Sequence, residues 1–78
     1  MGEPAVEACH GAVGLRIRMM REALDITQQD LAGRLPNLNR ASIANIEAGR
    51  QRLQLQTVEA ISRALGTTPR ALMKGVWW

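Results

Sequence analysis

Neither phenylalanine nor tyrosine occurs in this chain, and its two tryptophans, Trp77 and Trp78, stand side by side at its end. Its core has to be built from Leu, Ile, Val, Met and Ala, which suits helices better than strands. The single cysteine, Cys9, excludes an internal disulfide and fits a reducing cytosol. The single histidine, His10, lies next to it, and zinc needs about four suitably spaced ligands. Cys9 and His10 therefore read as a tail pair, and no metal or cofactor is expected. With no second histidine, no glycine-rich phosphate loop and no nucleophile–base set, catalysis is not expected either. No apolar run approaches the length that spans a membrane. The N-terminus lacks the basic start and apolar core of a secretory signal, so a cytoplasmic, membrane-free protein is expected.

The chain has 78 residues, of which 46% are hydrophobic. That is enough for one globular domain, although a domain so small buries only roughly 60 to 65% of its unfolded surface. Ten basic and seven acidic residues give a formal net charge of +3. Glu3 and Glu7 fall in an expected tail, so the rest of the chain is more basic than the total. A small basic domain points to nucleic acid or another anionic partner.

Residues 1–11 hold two glycines and a proline, and read as a flexible tail or at most a loose helical extension. From there to residue 73 the pattern is helical throughout, with no strand-like alternation. Val13, Ile17, Met20 and Leu24 share one face of a first helix, with Arg16, Arg18 and Glu22 outward. Asp25 follows, in a position for left-handed geometry. Thr27 caps a second helix, from Gln28 to about Leu35, with Asp30 in capping-box position and Pro36 as its stop. Asn39 caps a third, which buries Ile43 and Ile46 and ends at Gly49. A fourth, from Leu55 to Leu65, buries Leu55, Val58, Ile61 and Leu65 and ends at Gly66. Thr68 and Pro69 start a fifth, short helix containing Ala71 and Leu72. Residues 74–78 form a C-terminal tail.

The second and third helices make a helix-turn-helix unit. The runs RIRMMREALDITQQDLAGRL, NRASIANIEAGR and LQTVEAISRALGTTPRALM resemble the phage-repressor and Cro-type, or Xre, family of helix-turn-helix DNA-binding domains. The resemblance covers about residues 13 to 73. Its most specific pieces are Thr27-Gln28 with Leu31-Ala32, Ile43 with Ile46-Glu47 and Gly49, and Ala64-Leu65-Gly66. It implies an all-α, compact five-helix, lambda-repressor-like fold. The sequence departs from the family in three places. Pro36-Asn37 replaces a single glycine in the turn, Asp25 replaces a glycine, and Leu53-Gln54 replaces a proline and a serine cap.

The resemblance places the third helix in the major groove of double-stranded DNA. With Ile43 and Ile46 inward, Arg40, Ala41, Ala44 and Asn45 face the bases. Arg suits guanine, Asn suits adenine, and the alanine methyls permit close approach and thymine contact. Gln28 resembles the family's phosphate-contacting glutamine, though it also reads as a plain helix-start residue. Asn39 and Ser42 are further phosphate candidates, with local bonding as the other reading of Ser42. Arg50 and Arg52 supply charge past the helix end, and Arg52 is equally a solvated loop residue. Glu47 is implied to pair with Arg21 of the first helix as a structural strut. The expected protein is a DNA-binding regulator, a repressor that binds a palindromic operator as a homodimer. The alternative is an antitoxin-like module that binds a partner protein and controls its own promoter. Val76-Trp77-Trp78 either folds back on its own chain or packs across the dimer, and the dimer is preferred.

Overall fold

The computed structural model describes residues 3–75, with the backbone alone described for residues 3–10. Five helices follow one another: α1 (Glu3–Ala23), α2 (Gln28–Gly33), α3 (Arg40–Glu47), α4 (Leu55–Ala64) and α5 (Pro69–Met73). No strand occurs among the described residues. This is the expected all-α architecture. The side chains of Cys9 and His10, and the segment Val76–Trp78 expected at a dimer contact, lie outside the described residues.

Local chemistry explains where each helix begins and ends. Thr27 closes a full capping box: its Oγ1 accepts from the Asp30 N–H at 3.0 Å, and Asp30 Oδ2 accepts from the Thr27 N–H at 2.9 Å. The bonds from Thr27 hold the Asp30 carboxyl below its ordinary pKa. A depressed carboxylate pKa adds stability above the unfolded value, and that contribution disappears as pH falls through the folded one. Asn39 caps α3 by accepting the Ser42 N–H at 2.9 Å. Thr68 caps α5 by accepting the Ala71 N–H at 3.2 Å, with Pro69 at the first helical position. Gln54 at the start of α4 makes no side-chain cap, as expected where the family's serine is missing.

Three helices end in the same way, with a residue of positive φ just past the cap: Asp25 at 59°, Gly49 at 75° and Gly66 at 72°. In each, the next amide reaches back to a carbonyl of the last turn: Ile26 to Arg21 at 3.3 Å, Arg50 to Asn45 at 2.9 Å and Thr67 to Ser62 at 2.8 Å. This satisfies carbonyls that a helix end would otherwise leave open. Asp25 is the described non-glycine residue at positive φ. Asp25→Gly is therefore expected to stabilise the fold by about 0.5 to 1 kcal/mol. The check is a higher urea midpoint at unchanged slope.

Val13 and Ile17 of α1, Leu31 of α2, Ile43 and Ile46 of α3, Val58 and Ile61 of α4 and Leu72 of α5 are completely buried. Some boundaries differ from the sequence reading. α1 runs back to Glu3, so the backbone of residues 3–11 is helical. α2 stops at Gly33, short of Leu35, because a residue before proline disfavours helical backbone and Pro36 follows. Leu35 still packs inward, and Leu38 is half-buried, so the Pro36-Asn37 turn is held at both ends.

Two leucines placed in the core by helical spacing are exposed: Leu24 by 49% and Leu55 by 54%. Leu24 lies past the last turn of α1, where the chain already bends away. Leu55 opens α4, and Leu53, in the preceding extended segment, is buried in its stead.

Candidate nucleic-acid interface

The helix-turn-helix is held from behind by α1. A Cβ on Gly14 would overlap the carbonyl oxygen of Ile46 and stand 3.1 Å from that carbonyl's carbon and 3.2 Å from the Glu47 oxygen. A Cβ on Gly49 would come within 2.9 Å of the Gly11 Cα. α1 thus crosses the carboxyl end of α3 backbone against backbone, a distance no larger residue permits at position 14.

Two turns further along α1, Arg21 reaches Glu47 through two bonds, Nε to Oε2 at 2.7 Å and Nη2 to Oε1 at 3.0 Å. Its Nη1 donates to the carbonyl of Ile26 at 2.8 Å. The hydrogen bond to Glu47 raises the Arg21 pKa, against the opposing effect of burial. The strut implied by the resemblance is present, with side chains only 10% and 3% exposed. Gln28 joins it, donating from Nε2 to Glu47 Oε1 at 3.1 Å.

On α3 the core side is Ile43, Ile46 and Glu47. Arg40 and Ala41 are exposed, and Ser42, Ala44 and Asn45 are half-buried. At 100° per residue the outward direction passes through Ala41 and Ala48, with Ala44 and Asn45 on its two flanks. Ala48 is exposed and belongs to this face, although the sequence reading did not include it. The face is narrow, neutral and small in its middle, with Arg40 at its start and exposed Arg50 past its end. Arg52 is also exposed, in the segment before α4.

Asn39 and Ser42 are engaged with one another. The Asn39 Oδ1 accepts both the Ser42 N–H and, at 3.1 Å, the Ser42 hydroxyl. The Ser42 proton is thereby used locally, and Asn39 keeps its amide NH2 as a possible donor outward. Next to this helix start lies a groove of about 630 Å³ between the end of α1 and the start of α2, lined by Glu22, Asp25, Thr27, Gln28, Gln29 and Arg40 among others.

Two arginines with structural roles were not anticipated from sequence. Arg34 donates to the Ala64 carbonyl at 2.9 Å and caps α4, while Arg16 donates to the carbonyls of Leu72 and Lys74 at the end of α5. Both follow the preference for cations at helix carboxyl ends, but the pairings are tertiary and carry no local signal. Gly14 did carry one, as a glycine inside an otherwise apolar-periodic helix.

These features define a class of protein. The chain belongs to the helix-turn-helix domain family, whose model matches residues 12–74. The resemblance to phage-repressor and Cro-type DNA-binding domains is borne out, and such a family is regulatory, not enzymatic. A particular relative is the immunity repressor protein of Bacillus phage phi105, 39% identical over 61 residues, which are 78% of this chain and 42% of the repressor. The chain therefore spans less than half the length of that relative. No solved structure matches significantly. Among the described residues no helix is long and apolar enough to cross a membrane, and no three His, Cys, Asp or Glu side chains gather as a metal site.

Proposed function

We propose that this chain is a sequence-specific DNA-binding regulator of the repressor type, which lays α3 in the major groove and acts in the cytoplasm of a bacterium or its phage-infected host. The observation that carries this reading is the outward face of α3, where Ala41, Ala44 and Ala48 leave room for a base edge between Arg40 and Asn45. Arg40 reads guanine and Asn45 reads adenine, while Asn39, Gln28, Arg50 and Arg52 meet phosphates. Ser42 contributes through Asn39, which it orders. Two copies on a palindromic operator would read half-sites about one helical turn, roughly 34 Å, apart. A repressor bound in this way would act by occluding a promoter. The match to a phage immunity repressor supports this choice over activation.

Two alanine variants test these roles together. Asn45→Ala is expected to cost about 1 to 3 kcal/mol at the preferred site and to relax one base position. Arg50→Ala is expected to weaken every sequence alike and to lower the salt slope by about one unit. Equal losses on specific and random DNA would remove Asn45 from the readers, and an unchanged slope would remove Arg50 from the phosphate contacts.

A second reading is an antitoxin-like module that binds a partner protein and controls its own promoter. One observation favours it: Leu15 and Met19, one turn apart on the outer face of α1, are 53% and 59% exposed.

A further inference from the structure

The Glu47 carboxylate sits where three helices meet and takes hydrogen bonds from the other two. Arg21 of α1 engages both of its oxygens, and Gln28, the first residue of α2, adds a third bond at 3.1 Å. Charge compensation is complete with Arg21, so the Gln28 bond serves another purpose. Its effect is to choose the orientation of an amide. The oxygen and nitrogen of a glutamine side chain are alike in shape, and the surrounding bonds decide which end faces which partner. A carboxylate paired with a guanidinium accepts hydrogen bonds and donates none. The Gln28 amide must therefore turn its NH2 inward to Glu47.

An amide nitrogen carries two hydrogens. One is held by Glu47, and the second is directed away from it. Gln28 remains half exposed and lines the groove that also holds Thr27, Gln29 and Arg40. Any acceptor arriving there meets a donor whose direction is already set. A free glutamine loses much of its rotamer freedom on binding, whereas one ordered in advance loses less.

We infer that Glu47 is a positioning residue for DNA: it holds one N–H of Gln28 so that the other is presented to a backbone phosphate oxygen at the start of α2. Because Glu47 belongs to α3, the same bond fixes that phosphate contact relative to the helix that reads the bases. The inference rests on the DNA-binding reading. It gives an acidic residue near an anionic partner a task beyond stability.

The test is a double-mutant cycle on the full chain, titrated with a short random-sequence duplex at low salt. Phosphate contacts are independent of sequence, so no operator is needed. Gln28→Leu removes the donor. Glu47→Gln keeps the shape but leaves one acceptor oxygen for three donors, Arg21 Nε, Arg21 Nη2 and Gln28 Nε2. Each single variant is expected to weaken binding about five- to tenfold, and the double variant clearly less than the product of the two, because Glu47 also holds Arg21. The salt slope stays unchanged, because no cation is lost. Losses that multiply in the double variant would overturn the inference.

A second measurement needs no change at Glu47. The two side-chain amide protons of Gln28 are followed by NMR as the duplex is added to the wild-type protein. The inward proton is expected to keep its resonance and the outward one to shift. If neither shifts while DNA binds, the inference falls alone. If the wild-type protein does not bind the duplex at low salt, the DNA reading falls and takes the inference with it.

Discussion

Gly14→Ala is expected to destabilise this protein by about 3 kcal/mol or more, although the same change in an exposed helix adds about 0.5 to 1 kcal/mol. The reason is the close crossing of α1 and α3, where a Cβ on residue 14 overlaps the carbonyl oxygen of Ile46. A side chain could rotate away, but a helix carbonyl is fixed by its neighbours. Relief requires α1 and α3 to separate, which would open the contacts around Val13, Ile17, Ile43 and Ile46, all fully buried. Gly33→Ala in α2 is the matched control. Nothing lies within 4 Å of a Cβ there, and the residue is exposed. The control should gain the usual helix-propensity difference. For a domain of this size, the loss at Gly14 corresponds to a midpoint lowered by roughly 12 to 24 °C. Thermal and urea unfolding of the two variants are the check. A Gly14→Ala protein as stable as the parent would show that the helices do not cross this closely.

The second large effect is expected at the buried ion pair. Glu47→Ala should cost about 3 to 5 kcal/mol, because it leaves the Arg21 guanidinium buried with the Ile26 carbonyl as its remaining partner. Removing both charges together behaves differently. The double variant Arg21→Met, Glu47→Leu should recover most of that loss, since the desolvation of two charges is removed along with their attraction. The pair therefore fixes how the helices meet more than it raises net stability. Equilibrium urea unfolding of the single and double variants measures this. A Glu47→Ala variant within about 1 kcal/mol of the parent would show that Arg21 finds solvent or another partner.

Much of the fold was legible because its signals are local. The Thr27–Asp30 box, the Asn39 and Thr68 caps and the left-handed positions at Asp25, Gly49 and Gly66 are all written within four or five residues. The buried faces of α2 and α3 followed from helical spacing. The same spacing failed at Leu24, because periodicity extends a stripe past the point where α1 stops, and at Leu55, which opens α4 at its exposed end while Leu53 before it is buried. Leu53 was missed for the complementary reason: it is buried from an extended segment, where helical spacing has no meaning. The Arg21–Glu47 pair joins residues 26 apart in sequence, and its legibility came from the family resemblance. Arg16 and Arg34, which cap helices 56 and 30 residues away, had no comparable guide. The candidate reading face was legible as far as Ile43 and Ile46 fix its opposite side. Ala48 was overlooked because it lies in the helix cap, one residue beyond the last turn.

The turn around Pro36 and Asn37, where the family has a single glycine, leads directly into α3. The structure gives α3 several independent fixings. Leu35 and Leu38 anchor the turn, Gly14 sets the approach to α1, and Glu47 joins α3 to both other helices. A longer turn can be accommodated when the helix it leads to is located by contacts elsewhere.

The face of α3 is proposed to read base sequence. Selection of bound duplexes from a random pool, sequenced after several rounds, tests it most directly. The expected result is enrichment of a palindromic site whose half-sites lie about one helical turn apart, with guanine and adenine positions in each half that lose their preference in Arg40→Ala and Asn45→Ala. Binding that is salt-sensitive but enriches no sequence would contradict it.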